Sequence, residues 1–167
     1  MPNITLFPFA LGEAVEQKTF YSSSATDGSA SLHSRGDTPF QHLNYQQSIV
    51  AVRTLDEVIE SEKLAFVDFI KMDIEGNELF ALKGGKHSLT AGKIGALSFE
   101  FGCANVNSRT FFREFWELLT EANFLIYRIT PRGKDVLIGD YYEDTEYFRG
   151  ATNYVAELKK HSPDRYC

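Results

Sequence analysis

Residues 66–86, FVDFIKMDIEGNELFALKGGK, decide how the rest of the chain folds. A nearly continuous apolar run over 66–74, interrupted by Lys71, leads into three acids, Asp73, Glu75 and Glu78, set around Gly76. Such a run predicts a central parallel strand buried on both faces. A helical pattern starts at once from Gly76 or Asn77, with Leu79, Leu82 and Leu89 on its inner side. Gly84-Gly85 weakens or breaks that helix. Carboxylates placed where an apolar strand ends lose hydration, so a chain rarely keeps them there without a use. In open α/β sheets, ligands bind just outside the carboxyl ends of the strands. The stretch therefore nominates an active-site edge.

Outward from this strand, apolar runs alternate with amphipathic helices. Residues 3–10 predict a strand that turns at Gly12, 18–22 a short strand or extended loop, and 48–53 an alternating strand. Thr54-Leu55-Asp56-Glu57 is a capping box that opens a helix to about residue 61. A second buried strand spans 94–101 and carries Glu100 at its end. Ser108 caps a helix to about residue 122, with Phe111, Phe112, Phe115, Trp116, Leu118 and Leu119 on one face. Strands at 124–130, 136–138 and 152–158 follow. Residues 22–44, rich in Ser, Gly, Asp, His and Asn, predict a long surface loop of the kind that serves as a substrate-side lid. The order of elements is that of a single α/β domain over 1–167 with a mostly parallel sheet.

Composition narrows the function. A chain of 167 residues suits one domain with a real core, and 43% apolar and 14% aromatic residues exclude disorder. A net charge of −6 with scattered lysines and arginines gives no footprint for nucleic acid. No apolar run reaches the roughly 18 residues of a membrane span. The start, MPNITLFPFALG, lacks the regions of a signal peptide. Cys103 and Cys167 make neither a disulfide framework nor a metal-ligand spacing, so the default setting is a reducing cytoplasm.

Three groups carry possible chemistry. Asp73 and Glu75 share a face if the strand continues through them. Glu100 ends the next long strand, and neighbouring strands would bring Asp73 and Glu100 to one crevice. Such carboxylates can hold a divalent cation, accept a proton from a hydroxyl, or bind a cationic ligand. Glu78 serves equally well as an acid at a helix N-terminus, and Glu100 as a satisfied loop acid. His33, His42 and His87 form the third group. Two of them lie in the predicted lid, although loop histidines are more often solvated than catalytic.

The string TLDEVIESEKLAFVDFIKMDIEGNELFALKGG resembles the signature of FkbM-family methyltransferases. The matching positions are Thr54-Leu55-Asp56, Asp68-Phe69-Ile70-Lys71, Asp73, Glu75-Gly76, Glu78 and Lys83-Gly84. Ala10-Leu11-Gly12 is similar to the family's turn after its third strand, and Ser31-Leu32 to a Ser-Leu pair in the following loop. The likeness covers roughly residues 3–130. It implies S-adenosylmethionine as cofactor, with Asp73 beside its methionine end and the backbone of Ala10 and Leu11 at the adenine. It also implies a hydroxylated small molecule or sugar as acceptor. Glu75 and Glu100 become catalytic candidates, for contact with substrate or a metal.

The family opens on a strand, a glycine-rich turn and an acid that binds the ribose; this chain starts where the third strand belongs. The resemblance thus implies a partial Rossmann-like methyltransferase sheet, mostly parallel, that lacks the first two strands. Those strands would sit between the third strand and the strand leading to Asp73. Their absence leaves open edges, which a homodimer through the exposed sheet edge would cover. Two other classes stay open: an inert binding module using that edge, and a hydrolase whose carboxylates hold magnesium or manganese.

Overall fold

The computed structural model describes residues 3–24, 28–34, 44–147 and 150–159. A small sheet joins β1 (Ala10–Leu11), β2 (Glu16–Ser22) and β3 (Gln46–Arg53) in the order β1-β3-β2. A larger sheet joins β4 (Val67–Lys71), β5 (Ile94–Gly102), β6 (Phe124–Thr130), β7 (Gly133–Leu137) and β8 (Ala151–Leu158) in the order β4-β5-β8-β6-β7. Five helices complete the elements that concern the site: α1 (Leu55–Ser61), α2 (Glu78–Lys83), α3 (Lys86–Thr90), α4 (Cys103–Ser108) and α5 (Phe112–Glu121).

The α/β class stands, but the sheet is mixed rather than mostly parallel. Only β1–β3 and β4–β5 pair in parallel among the described residues; β2–β3, β5–β8, β6–β8 and β6–β7 are antiparallel. The cause lies in the connections. A parallel neighbour needs a long crossover, which α2 and α3 supply between β4 and β5. After β6 the chain reverses through Pro131 and Arg132, and β8 then enters antiparallel between β5 and β6.

One face of the larger sheet carries the core. Phe99 and Phe101 of β5, Phe112 and Phe115 of α5, Leu79 and Leu82 of α2, and Leu89 of α3 are all at most 2% exposed. The Phe99 ring stacks on Phe115 at 4.8 Å and on Tyr154 of β8 at 5.4 Å. Such ring pairs add about 0.5–1.5 kcal/mol each beyond the area they bury. They fix α5 against β5 and β8.

Several expected elements hold as drawn. Thr54 caps α1, its hydroxyl accepting the Glu57 N–H at 3.1 Å. Gly84 and Gly85 divide α2 from α3. Gly84 also meets the turn after β1: a Cβ there would run into the Gly12 carbonyl oxygen, so the close approach demands glycine.

Three expectations change. The strand placed over 3–10 pairs only at Ala10 and Leu11, against β3. Ser108 does not cap α5. It ends α4, whose C-cap Arg109 is left-handed, and its hydroxyl turns to the Asn105 carbonyl and to Thr110. The third is β4, which is an edge strand and not a central one: β5 is its sole strand partner among the described residues, and Phe69 is 54% exposed. Its apolar sequence suits a strand with neighbours on both sides, while the pairing gives it one.

Candidate active site

The site is built on the turn that leaves β4. Met72 closes the strand, buried and bonded through its N–H to the Ser98 carbonyl at 2.8 Å. Asp73, Ile74, Glu75, Gly76 and Asn77 then carry the chain into α2. Glu75 and Gly76 are both left-handed, with φ of 55° and 96°. For a side-chain-bearing residue this costs about 1–2 kcal/mol. Glycine is required at the second position, because a Cβ there would lie 2.7 Å from the Ala104 carbonyl oxygen.

Glu78 holds this turn from within. Its carboxylate accepts the N–H groups of Ile74 and Gly76, both at 2.9 Å, and the residue is 2% exposed. Burial pushes its pKa above the ordinary 4.5, outweighing the N–H bonds that pull it down. Glu78 is therefore spent on the turn. From outside, the Ser31 hydroxyl donates to the Glu75 carbonyl at 2.8 Å.

Beside the turn lies a cleft of about 760 Å³. Its walls come from three places: Phe7 to Phe9 with Ala10, Leu11, Phe20 and Val50 of the small sheet, Gly28, Ala30 and Leu32 from the loop, and Asp73, Ile74, Glu75 and Asn77 from the turn. Four of the sequence candidates, Ala10, Leu11, Asp73 and Glu75, thus share one cavity. Glu100 is not among its lining residues. It sits in β5 opposite Asn153, between Phe99 and Phe101, and so on the face away from their core.

Among the described residues, the charged ones lining the cleft are Asp73 and Glu75, both negative. Asp73 pairs with Lys71 at 2.7 Å, with side chains 56% and 67% exposed. A pair so exposed is worth about 1 kcal/mol or less, so a cationic ligand can compete for the carboxylate. Arg53 stays out of the lining, its guanidinium 4.9 Å from the Phe9 ring centre, where it fixes the 7–11 segment to β3. The cleft suits neutral or cationic ligands with a flat apolar part.

Asn77 and Ser31 were visible in the sequence only as a helix start and as half of a Ser-Leu pair, and their bonds were not. Asn77 stands at the N-cap of α2 without capping it. Its amide instead donates to the Leu11 carbonyl and accepts from His33 Nε2 at 3.1 Å. The aromatic walls Phe7, Phe9 and Phe20 carried no signal beyond apolar strand residues. His33 reaches the cleft's edge through Asn77, whereas His87 lines a separate hollow of about 420 Å³. That hollow also holds Leu64 and Ala65, which precede β4, so it lies at the opposite end of the strand. There the Asp56 carboxylate is occupied by the N–H groups of His87 and Ser88. His42, Cys167 and part of the predicted lid lie outside the described residues.

Among the described residues, no group of three or more His, Cys, Asp or Glu side chains is gathered to hold a metal ion. No helix among them is long and apolar enough to cross a membrane. What remains is a mixed α/β domain with an acidic, apolar-walled cleft at the carboxyl end of a parallel strand. The sequence model of the methyltransferase FkbM domain matches residues 2–126, and the chain belongs to that family of methyltransferases. No curated protein and no solved structure matches it.

Proposed function

We propose that this domain uses S-adenosylmethionine to methylate a hydroxyl oxygen of a small molecule or sugar. The observation that carries this reading is the single cleft uniting Ala10, Leu11, Asp73 and Glu75. Its volume lies within the usual range of small-molecule sites, about 300–1,000 Å³. The residues fit the purine and the cationic groups of the cofactor. Aromatic and aliphatic walls beside the Ala10–Leu11 backbone suit a purine, and two carboxylates suit a ligand bearing ammonium and sulfonium charge. When bound, the cofactor supplies an electrophilic methyl group.

The chain's own residues do the rest. Asp73 holds the cationic end at the mouth of β4, and the 7–11 segment holds the purine. Glu75 would accept the proton that the acceptor's hydroxyl gives up as its oxygen takes the methyl group that the cofactor supplies. The β4–α2–α3–β5 crossover serves as part of a Rossmann-like methyltransferase sheet, in a cytoplasmic setting. A second copy of the chain pairs along the open edge of β4, where Phe69 is exposed.

The test is calorimetric titration of the chain with S-adenosylhomocysteine, repeated with Asp73→Ala. Micromolar binding that the variant weakens at least tenfold is the expected result. A folded chain that binds nothing would remove the enzymatic reading and leave the binding-module one, which the exposed Phe69 favours.

A further inference from the structure

Three walls of the cleft meet at two buried polar side chains. Ser31 is 2% exposed, although it lies in a loop without regular structure. Its backbone bridges Tyr21 of β2 in both directions, at 2.9 and 3.0 Å. Its hydroxyl accepts the His33 N–H at 3.0 Å and donates to the Glu75 carbonyl at 2.8 Å. Asn77, also 2% exposed, links the Leu11 carbonyl of β1 to the His33 ring. The 28–34 segment therefore cannot swing from the cleft without breaking bonds to the turn at two points.

The carbonyl that Ser31 grips belongs to Glu75, the one strained side-chain-bearing residue among the described residues of the cleft lining. Strain of this kind persists only where the surroundings over-determine it. Glu78 fixes the N–H groups on either side of Glu75, and Ser31 fixes its C=O. Resting on the cleft reading above, we propose that Ser31 and Asn77 are positioning residues. They couple closure of the 28–34 wall to the setting of Glu75 and the Leu11 carbonyl, so ligand binding and loop order rise and fall together. Loss of either side chain leaves buried partners unsatisfied, which makes the coupling measurable.

Amide hydrogen exchange on the full chain, with and without S-adenosylhomocysteine, tests this in Ser31→Ala and Asn77→Asp. The informative amides are Ile74 and Gly76, which donate to Glu78 and make no bond to Ser31 or Asn77. A purely local role for Ser31 would speed exchange only at Tyr21, Ser31 and His33. Coupling speeds Ile74 and Gly76 as well, by about tenfold for the loss of one buried hydrogen bond. Affinity for the ligand falls by a similar factor, and the ligand slows exchange across 28–34 in the unaltered chain. Asn77→Asp keeps the acceptor for His33 and loses the donor to Leu11, so it reports on the second tie even if Ser31→Ala unfolds. Unchanged Ile74 and Gly76 exchange in both variants would overturn the proposal. Faster exchange in a chain that binds no ligand would uphold the tie between the 28–34 wall and the turn and sink the cofactor reading alone.

Discussion

Glu78 was visible in the sequence as an acid near a helix start, but not as the clamp of the preceding turn. Period-two and period-3.6 patterns place residues on faces; they do not show a side chain folding back onto N–H groups two and four residues earlier. The structure makes its consequence testable through pH. Because burial raises its pKa above 4.5, folded Glu78 holds its proton more tightly than the unfolded chain does. Its contribution to stability is thus fully present below the unfolded pKa and is lost as pH rises through the folded value. Glu78→Gln removes that titration. The melting temperature of the natural chain relative to the variant should be highest below pH 4.5 and decline as pH rises above it through the folded value. A difference that grows with pH would mean that the N–H bonds dominate and the pKa is lowered. Gly76 makes a second residue-scale case: Gly76→Ala forces a Cβ against the Ala104 carbonyl at positive φ. The cost should be about 2–3 kcal/mol, read by denaturant unfolding, because strain and overpacking add.

At the scale of elements, the helix over 112–121 was legible because its apolar residues recur on one face; its start was not. Ser108 looks like a cap in the sequence, yet Arg109 in the left-handed region ends α4 first. The true N-terminal partner comes from 34 residues away. Glu146 accepts the N–H groups of Phe112 and Arg113 at 2.7 and 2.9 Å and the Tyr141 hydroxyl at 3.0 Å. No local pattern announces such a long-range cap. Glu146→Ala should lower stability by about 1–2 kcal/mol, the loss of a charged cap at a helix N-terminus. Thermal unfolding of that variant would show it as a fall of about 2–8 °C for a domain of this size. An unchanged melting temperature would mean that water replaces the carboxylate without loss. The Thr54 cap of α1, by contrast, was readable because donor and acceptor lie three residues apart.

The whole molecule departs from the sequence reading in how its strands are paired, and the departure has a measurable consequence. Strand composition reports the burial that a strand is suited to, whereas pairing depends on which neighbours the chain supplies. β4 has the apolar character of an interior strand and, among the described residues, stands at an edge, without a proline or a bulge to blunt it. Its charges, Asp68 and Lys71, do not forbid self-pairing. A two-fold axis normal to the sheet places Phe69 opposite its own copy, which sets Asp68 opposite Ile70 and Val67 opposite Lys71. No like charges meet directly, and the two exposed Phe69 rings fall on the same face. Self-association through β4 should therefore appear as a concentration-dependent sedimentation coefficient, weak because so short an edge buries less than a standard interface. Phe69→Lys should abolish it by setting two ammonium groups face to face, while leaving the monomer's melting temperature within about 2 °C because Phe69 is already half exposed. A chain that sediments as a monomer at every concentration would show that Asp68 and Lys71 suffice to guard the edge. Association that survives the substitution would place the contact on another surface.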